Sequence, residues 1–188
     1  MTALKTKAGY GIFEAYLERS LTWARAPGST LSPIDYSGGR SVPSWSWMTY
    51  EGRISYLDAP FDKVAWTKDY VSPFTSNGDQ TFWDANGNYP TPALISKSAR
   101  RFSPTSVNIL VQGGIIMDQP FEDHQVNALR CIILGKDKID SPGHATQNYV
   151  LVVAPSSSQS HGGHVRVGVG VVPDHDIRWD LEEEVIVH

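Results

Sequence analysis

Several groups of side chains in this sequence could do chemistry. Asp118, Glu122, Asp123 and His124 crowd around Pro120, and a carboxylate beside an imidazole can pass a proton when partly buried. The same residue types are ordinary turn formers, so the competing reading is a solvated loop. Arg130 stands inside the apolar run Leu129-Arg130-Cys131-Ile132-Ile133-Leu134. Pointing inward from a strand, it would need a polar partner or a ligand carbonyl; pointing outward on an edge, it would only solubilise. His124 and Arg130 are thus the candidate catalytic groups. His161-Gly162-Gly163-His164, with His144 and His175 nearby, invites a metal. Zinc needs three or four ligands, often with a thiolate or carboxylate among them, and the glycine pair reads as a hairpin tip. No metal is expected.

Covalent and cofactor chemistry find less support. Cys131 is the single cysteine and lies in an apolar run, where a thiol behaves as a small hydrophobe. No serine occupies a Gly-x-Ser-x-Gly elbow. Gly38-Gly39 and Gly168/Gly170 do not open helices, as phosphate-binding loops must. No redox cofactor has a recognisable cradle, so no cofactor is expected. What the chain does have is aromatic surface. Trp45, Trp47, Trp66, Trp83 and Tyr149 are the candidate substrate-binding residues for an apolar small molecule. For Trp45 and Trp47 the alternative is a role as core pillars, since aromatic burial dominates core energetics.

These residues need elements to hold them. In residues 9–25, Phe13, Tyr16, Leu17, Leu21 and Ala24 recur at steps of three and four, which predicts a helix ended by Pro27-Gly28. Trp45 and Trp47 bracket one serine, and that spacing predicts an extended strand with both indoles on one face. A turn at Glu51-Gly52 leads to a partner strand over residues 53–57. Residues 63–71 form a further β segment. Residues 72–104 are rich in Pro, Gly, Asn, Ser and Thr and read as a long insertion. Its load of Phe74, Phe82, Trp83 and Tyr89 predicts a lid folded onto the body or a partner surface, because disordered segments are aromatic-poor. Strands follow over residues 106–117, 128–134, 148–154 and 164–172, with a closing edge strand over 183–188. The expectation is one all-β domain across residues 1–188: a barrel or closed sandwich of seven to eight mostly antiparallel strands, carrying one N-terminal helix. A barrel of that size can enclose one small ligand.

Composition narrows the classes. The chain has 188 residues with 20 acidic and 16 basic ones, a net charge of −4. The basic residues are scattered, so no nucleic-acid footprint is visible. No apolar run reaches the length of a membrane span, and no signal-peptide core follows the N-terminal lysines. The lone cysteine favours an intracellular, cytoplasmic setting.

The segment Val42-Pro43-Ser44-Trp45-Ser46-Trp47-Met48, with its glycine turn and hydrophobic strand, resembles a pattern in fungal heterokaryon-incompatibility (HET) domain proteins. Leu17-Glu18-Arg19-Ser20-Leu21-Thr22-Trp23 is similar to the helix that precedes it there. Cys131-Ile132-Ile133-Leu134-Gly135, Tyr149-Val150-Leu151-Val152-Val153 and Arg166-Val167-Gly168-Val169-Gly170 are similar to later strands. The resemblance implies a free-standing copy of the C-terminal β-rich region, without the HET domain itself. No catalytic residue carries over with it. Two functions are compatible with this reading. One is a cofactor-independent enzyme shaping an apolar small molecule in fungal secondary metabolism: a cyclase, an isomerase, or a pericyclase such as a Diels-Alderase. The other is a non-catalytic interaction or regulatory module.

Overall fold

Two runs, Cys131-Ile132-Ile133-Leu134 and Tyr149-Val150-Leu151-Val152-Val153, are apolar at nearly every position. A strand with one wet face alternates; a strand without alternation must be covered on both faces. The computed structural model shows that arrangement. It describes residues 6–36, 42–74, 92–103, 114–120, 127–138, 145–156 and 163–188.

The N-terminal part is a set of short pieces. Strands β1 (Ala8–Gly9) and β2 (Ile12–Phe13) form a hairpin, followed by a 3₁₀ turn and the one-turn helix α1 (Leu17–Ser20). Then come β3 (Trp23–Arg25), β4 (Leu31–Pro33), β5 (Tyr50–Gly52) and β6 (Ile54–Tyr56). β4 pairs with β5 inside the β3–β6 pair, so these two ribbons are nested. The remaining strands are β7 (Val64–Trp66), β8 (Tyr70–Val71), β9 (Leu94–Phe102), β10 (Ile115–Met117), β11 (Arg130–Asp137), β12 (Gln147–Pro155), β13 (His164–Pro173) and β14 (Ile177–Val187).

These last eight make one sheet. β11, β12 and β13 form an antiparallel meander, β14 meets β13 at His164↔Val187, and β9 pairs antiparallel with β14. The pairing Cys131↔Arg100 joins β9 back to β11 and closes a five-stranded barrel. The expected all-β barrel is therefore present, with eight strands in the sheet and five in the closed circuit.

Side-chain parity explains the apolar runs. Ile132, Leu134, Tyr149, Leu151 and Val153 fall in one buried cluster with Ile12, Leu17, Leu21 and Trp45. Cys131, Val150 and Val152 fall in another, with Ile115, Leu129, Val172 and Ile177. Alternate residues of β11 and β12 thus point into two different cores. At Gly168 and Gly170 a third strand approaches the sheet closely. A Cβ on Gly170 would lie 2.3 Å from the Gly114 carbonyl and 2.8 Å from Ile115 Cα, so only glycine lets β10 pair there.

Five sequence expectations are corrected. The helix over residues 9–25 is reduced to α1, because Tyr10 (φ 54°) and Gly11 (φ 72°) form a left-handed turn that starts a hairpin instead. Its apolar spacing is partly real, for Leu17 and Leu21 are buried, whereas Phe13 and Tyr16 are exposed. The Trp45/Trp47 segment is not a strand but a turn leading into a 3₁₀ turn at Trp47–Thr49. Its hydroxyls compete with sheet bonding: Ser46 Oγ accepts from the Met48 N–H (3.0 Å) and donates to the Tyr10 carbonyl (2.7 Å). Residues 53–57 pair with β3 and not with the preceding strand. The expected insertion over 72–104 contains β9, nine residues long and central to the barrel. Finally, residues 183–187 belong to the eleven-residue strand Ile177–Val187, paired on both sides rather than an edge.

Candidate functional site

The barrel has a seam. Among the described residues β9 and β11 share only the Cys131↔Arg100 pairing. Beyond it β11 takes β7 as its partner (Gly135↔Trp66, Lys136↔Ala65), while β9 takes β8 (Tyr70↔Ser96, Val71↔Ile95). Residues 67–69 bridge the two, fixed by the Thr67 N–H donating to the Leu134 carbonyl at 2.9 Å. Beside this arch lies a cleft of about 250 Å³, bordered by Trp66, Asp69, Ser98, Arg100, Ile133, Lys136, Asn148 and Trp179 among others. Gly135 is required for its wall: a Cβ there would sit 2.9 Å from both the Trp66 ring and Val64. The register shift between Ile133 and Gly135 marks the place where β11 bends toward β7.

Arg100 is the main charged group of the cleft. One guanidinium nitrogen donates to the Trp179 carbonyl at 2.8 Å, the other is ion-paired with Glu182, and the cation lies 5.5 Å from the Trp179 ring centre. Its Nε is buried without a hydrogen-bond partner. Asn148, fully buried on β12, donates through Nδ2 to Asp174 Oδ1 at 3.1 Å, and its Oδ1 is likewise buried without a partner.

The sequence-predicted residues divide three ways. Trp66 borders the seam cleft and a neighbouring one of about 260 Å³ that also involves Arg19 and Phe61. Tyr149 packs against Trp66 with ring centres 5.8 Å apart and donates its hydroxyl to the Asp58 carbonyl at 3.2 Å. It supports the tryptophan from behind, buried and outside the lining. Trp45 and Trp47 are scaffold. Trp45 is fully buried, edge-on to Tyr10 and Phe74, and bonds the Pro92 carbonyl at 3.1 Å. Trp47 bonds the Gly11 carbonyl at 3.2 Å. A Cβ on Gly11 would press to 2.4 Å from that indole nitrogen. Arg130 is committed elsewhere: it is ion-paired with Glu183, and its NH1 donates to the Leu129 carbonyl at 2.9 Å and the Ala128 carbonyl at 3.0 Å. Burial and the neighbouring Arg101 lower its pKa. It therefore meets the demand for a polar partner within the protein. His124 and Trp83 lie outside the described residues.

Cys131 is closed to thiolate chemistry, because burial pushes its pKa up to about 12. Among the described residues no three His, Cys, Asp or Glu side chains gather to hold a metal. His144 and His161 lie outside those residues.

Sequence reasoning read Asp118 as a loop carboxylate, either for proton transfer or solvated, and missed its buried partner; the structure instead puts it in an extensive buried polar network. Arg166 on β13 and Asp118 are both buried, paired at 2.9 Å (Nε to Oδ2) and 3.2 Å (NH2 to Oδ1). NH1 donates to the Leu21 carbonyl at 2.8 Å, NH2 donates to the Trp23 carbonyl, and the guanidinium stacks 3.3 Å from the centre of a Trp23 ring. Trp23 in turn donates to the Trp45 carbonyl at 2.9 Å. The pair ties β13, the β10 end and β3 together and has no access to solvent, which makes it structural. Arg100 and Asn148 were legible only as polar interruptions of strands, the same signal that singled out Arg130.

Comparison of the chain with protein families, curated proteins and solved structures finds no match. No helix among the described residues is long and apolar enough to cross a membrane.

Proposed function

We propose that this protein acts on a small molecule without a bound cofactor, as a cyclase, isomerase or pericyclase does, and that the seam cleft is where it acts. The observation that carries the reading is the cleft itself: Trp66 and Trp179 with Ile133 give it apolar surface, and Arg100, ion-paired with Glu182, gives it a fixed N–H donor group. Catalysis of this kind needs no nucleophile. It needs a cavity that selects a reactive conformer and a donor that stabilises charge developing on a carbonyl. The arch and barrel strands supply the first, and Arg100, held by Glu182 and the Trp179 carbonyl, supplies the second. The cleft is smaller than drug-sized sites of roughly 300–1,000 Å³, so it takes a reacting ring system and leaves the rest of a larger substrate outside.

The setting in fungal secondary metabolism rests on the HET resemblance of the tryptophan motif. Deleting the gene in its host and comparing metabolite profiles under producing conditions tests both parts. Loss of one product family, restored by the wild-type gene and not by Trp66→Ala, is the expected result. An unchanged profile overturns the enzyme reading. The competing reading, a non-catalytic interaction module, is favoured by exposed aromatics near α1: Phe61 is 77% exposed, Phe13 53% and Tyr16 49%.

A further inference from the structure

Buried polar atoms are almost always hydrogen-bonded, and each exception calls for a reason. Four side-chain atoms among the described residues are buried and unpartnered: Arg100 Nε, Arg130 Nε, Asn148 Oδ1 and His164 Nδ1. Arg130 Nε lies against Glu183, so its charge is answered. His164 stands at the start of β13 and does not border the seam cleft. The other two belong to residues that border one cleft. One is a donor and the other an acceptor.

Charge sharpens this. Arg100 is neutralised by Glu182, and the remaining charged groups of the lining, Lys136 and Asp69, are of opposite sign. An anionic ligand would find no uncompensated cation to pair with. The flanking indoles of Trp66 and Trp179 favour a flat, conjugated body. We infer that the ligand group held in the seam cleft is a neutral amide-like function on a planar aromatic or conjugated frame, with its carbonyl accepting from Arg100 Nε and its N–H donating to Asn148 Oδ1. This inference rests on the small-molecule reading given above and specifies its substrate class: aryl amides, lactams or imides.

The test uses the full chain and a series of probes of matched size: 1-naphthamide, N,N-dimethyl-1-naphthamide, 1-naphthoate and 1-ethylnaphthalene, followed by tryptophan fluorescence and calorimetry. Satisfying each buried group is worth roughly ten- to a hundredfold in affinity. The primary amide is expected to bind tightest, the dimethyl amide to lose about tenfold or more with its N–H, and the hydrocarbon to be weakest. The carboxylate is expected to bind no better than the amide. Asn148→Leu should erase the difference between the primary and dimethyl amides while leaving hydrocarbon binding intact. Should that variant fail to fold, Ser98→Trp, which fills the cleft from β9 and leaves Arg100 and Asn148 in the sequence, should abolish binding of all four probes. Equal affinity for amide and hydrocarbon would overturn the inference and leave the cleft as a small-molecule site. Tightest binding by the carboxylate, or amide binding that survives Ser98→Trp, would also overturn it. Absence of binding by every probe would remove the inference and the small-molecule reading together.

Discussion

Replacing Asp118 by asparagine isolates one charge in the most enclosed part of the molecule. Both side chains of the Arg166–Asp118 pair are shut off from solvent, at 0% and 1% exposure, so water cannot screen the loss. Asparagine keeps the shape and one acceptor, which can meet NH2 (3.2 Å), but its amide nitrogen, itself a donor, then faces the Nε donor at 2.9 Å. Removing one partner of a buried pair costs about 3–5 kcal/mol, because the other charge stays buried and unanswered. For a domain of this size each kcal/mol moves Tm by about 2–4 °C, so a drop of about 6–20 °C is expected. Arg166→Met should cost more. It orphans the carboxylate and also frees the Leu21 and Trp23 carbonyls, each worth about 1–3 kcal/mol when left unpaired. For the same reason the double variant Asp118→Leu/Arg166→Met should recover part of the loss, yet stay below wild type. Urea titration of the four proteins measures these differences.

A second readout guards against mistaking general damage for loss of the pair. Tyr50 packs near Trp23, with ring centres 6.0 Å apart, and its pKa is pushed up to about 12. Burial is the main cause, the Asp118 charge adds to it, and Arg166 opposes it. Asp118→Asn removes the raising charge and leaves the lowering one, so the Tyr50 pKa should fall in that variant while it remains folded. Tyrosine ring carbon shifts followed by NMR would show it. A stability loss under about 1 kcal/mol, or a Tyr50 titration that does not move, would refute the account of the pair.

Other perturbations follow from the same contacts. Gly170→Ala should cost about 1–3 kcal/mol and detach β10, read as selective loss of amide protection over residues 115–117, because the added methyl meets backbone at 2.3 Å. Trp45→Ala should cost about 3–5 kcal/mol, against roughly half that for the half-buried Trp47, and neither should alter binding in the seam cleft; denaturant titration with probe binding decides. Tyr50 also predicts an alkaline limb. A raised folded pKa gives stability that is whole below the unfolded value near pH 10 and is lost as pH climbs toward about 12. Unfolding measured between pH 9 and 12 should show a shallower decline in Tyr50→Phe. His164 works at the other end: burial and then Arg130 lower its pKa, so stability is whole above about pH 6.5 and falls with acidification, less so in His164→Gln.

The strands that were legible from sequence are those whose two faces are both buried. Cys131 to Leu134 and Tyr149 to Val153 cannot be read as anything wet, and the structure places them where two cores meet. What escaped reading was structure held by few residues or by polar ones. The helix signal in residues 9–25 came from real burial of Leu17 and Leu21, but φ-positive Tyr10 and Gly11 decide the backbone there, and Tyr10 carries no turn signature. β9, with Leu94-Ile95-Ser96-Lys97-Ser98-Ala99-Arg100-Arg101-Phe102, buries a serine and an alanine where strand propensity asks for branched or aromatic residues. Its register is imposed by β14 and by the glutamates there, Glu182 and Glu183, that pair with Arg100 and Arg101. Such a strand is written in its partner more than in itself. Asp118 was singled out, but for a loop, and its pairing with Arg166 escaped for the same reason: 48 residues separate the two, and the pair makes no sense until β10 lies on β13.

This division bears on where a ligand can sit. A barrel's interior widens with strand number, and about eight strands are needed before side chains just fill it. Here five strands close the circuit, and β11 and β12 present buried apolar side chains in both directions. The ligand-enclosing interior expected of a seven- to eight-stranded barrel is therefore replaced by packing. The seam cleft opens where pairing is interrupted, and the interruption is built from specific residues: one β9–β11 ladder pairing at Arg100, a shifted register beside Gly135, and an arch from Trp66 to Tyr70. The tryptophan motif at Trp45-Ser46-Trp47 secures the N-terminal hairpin to this frame through Tyr10 and Gly11. It holds the scaffold, whereas the seam, carried by the polar strand the sequence hid best, holds the donor and acceptor left without partners.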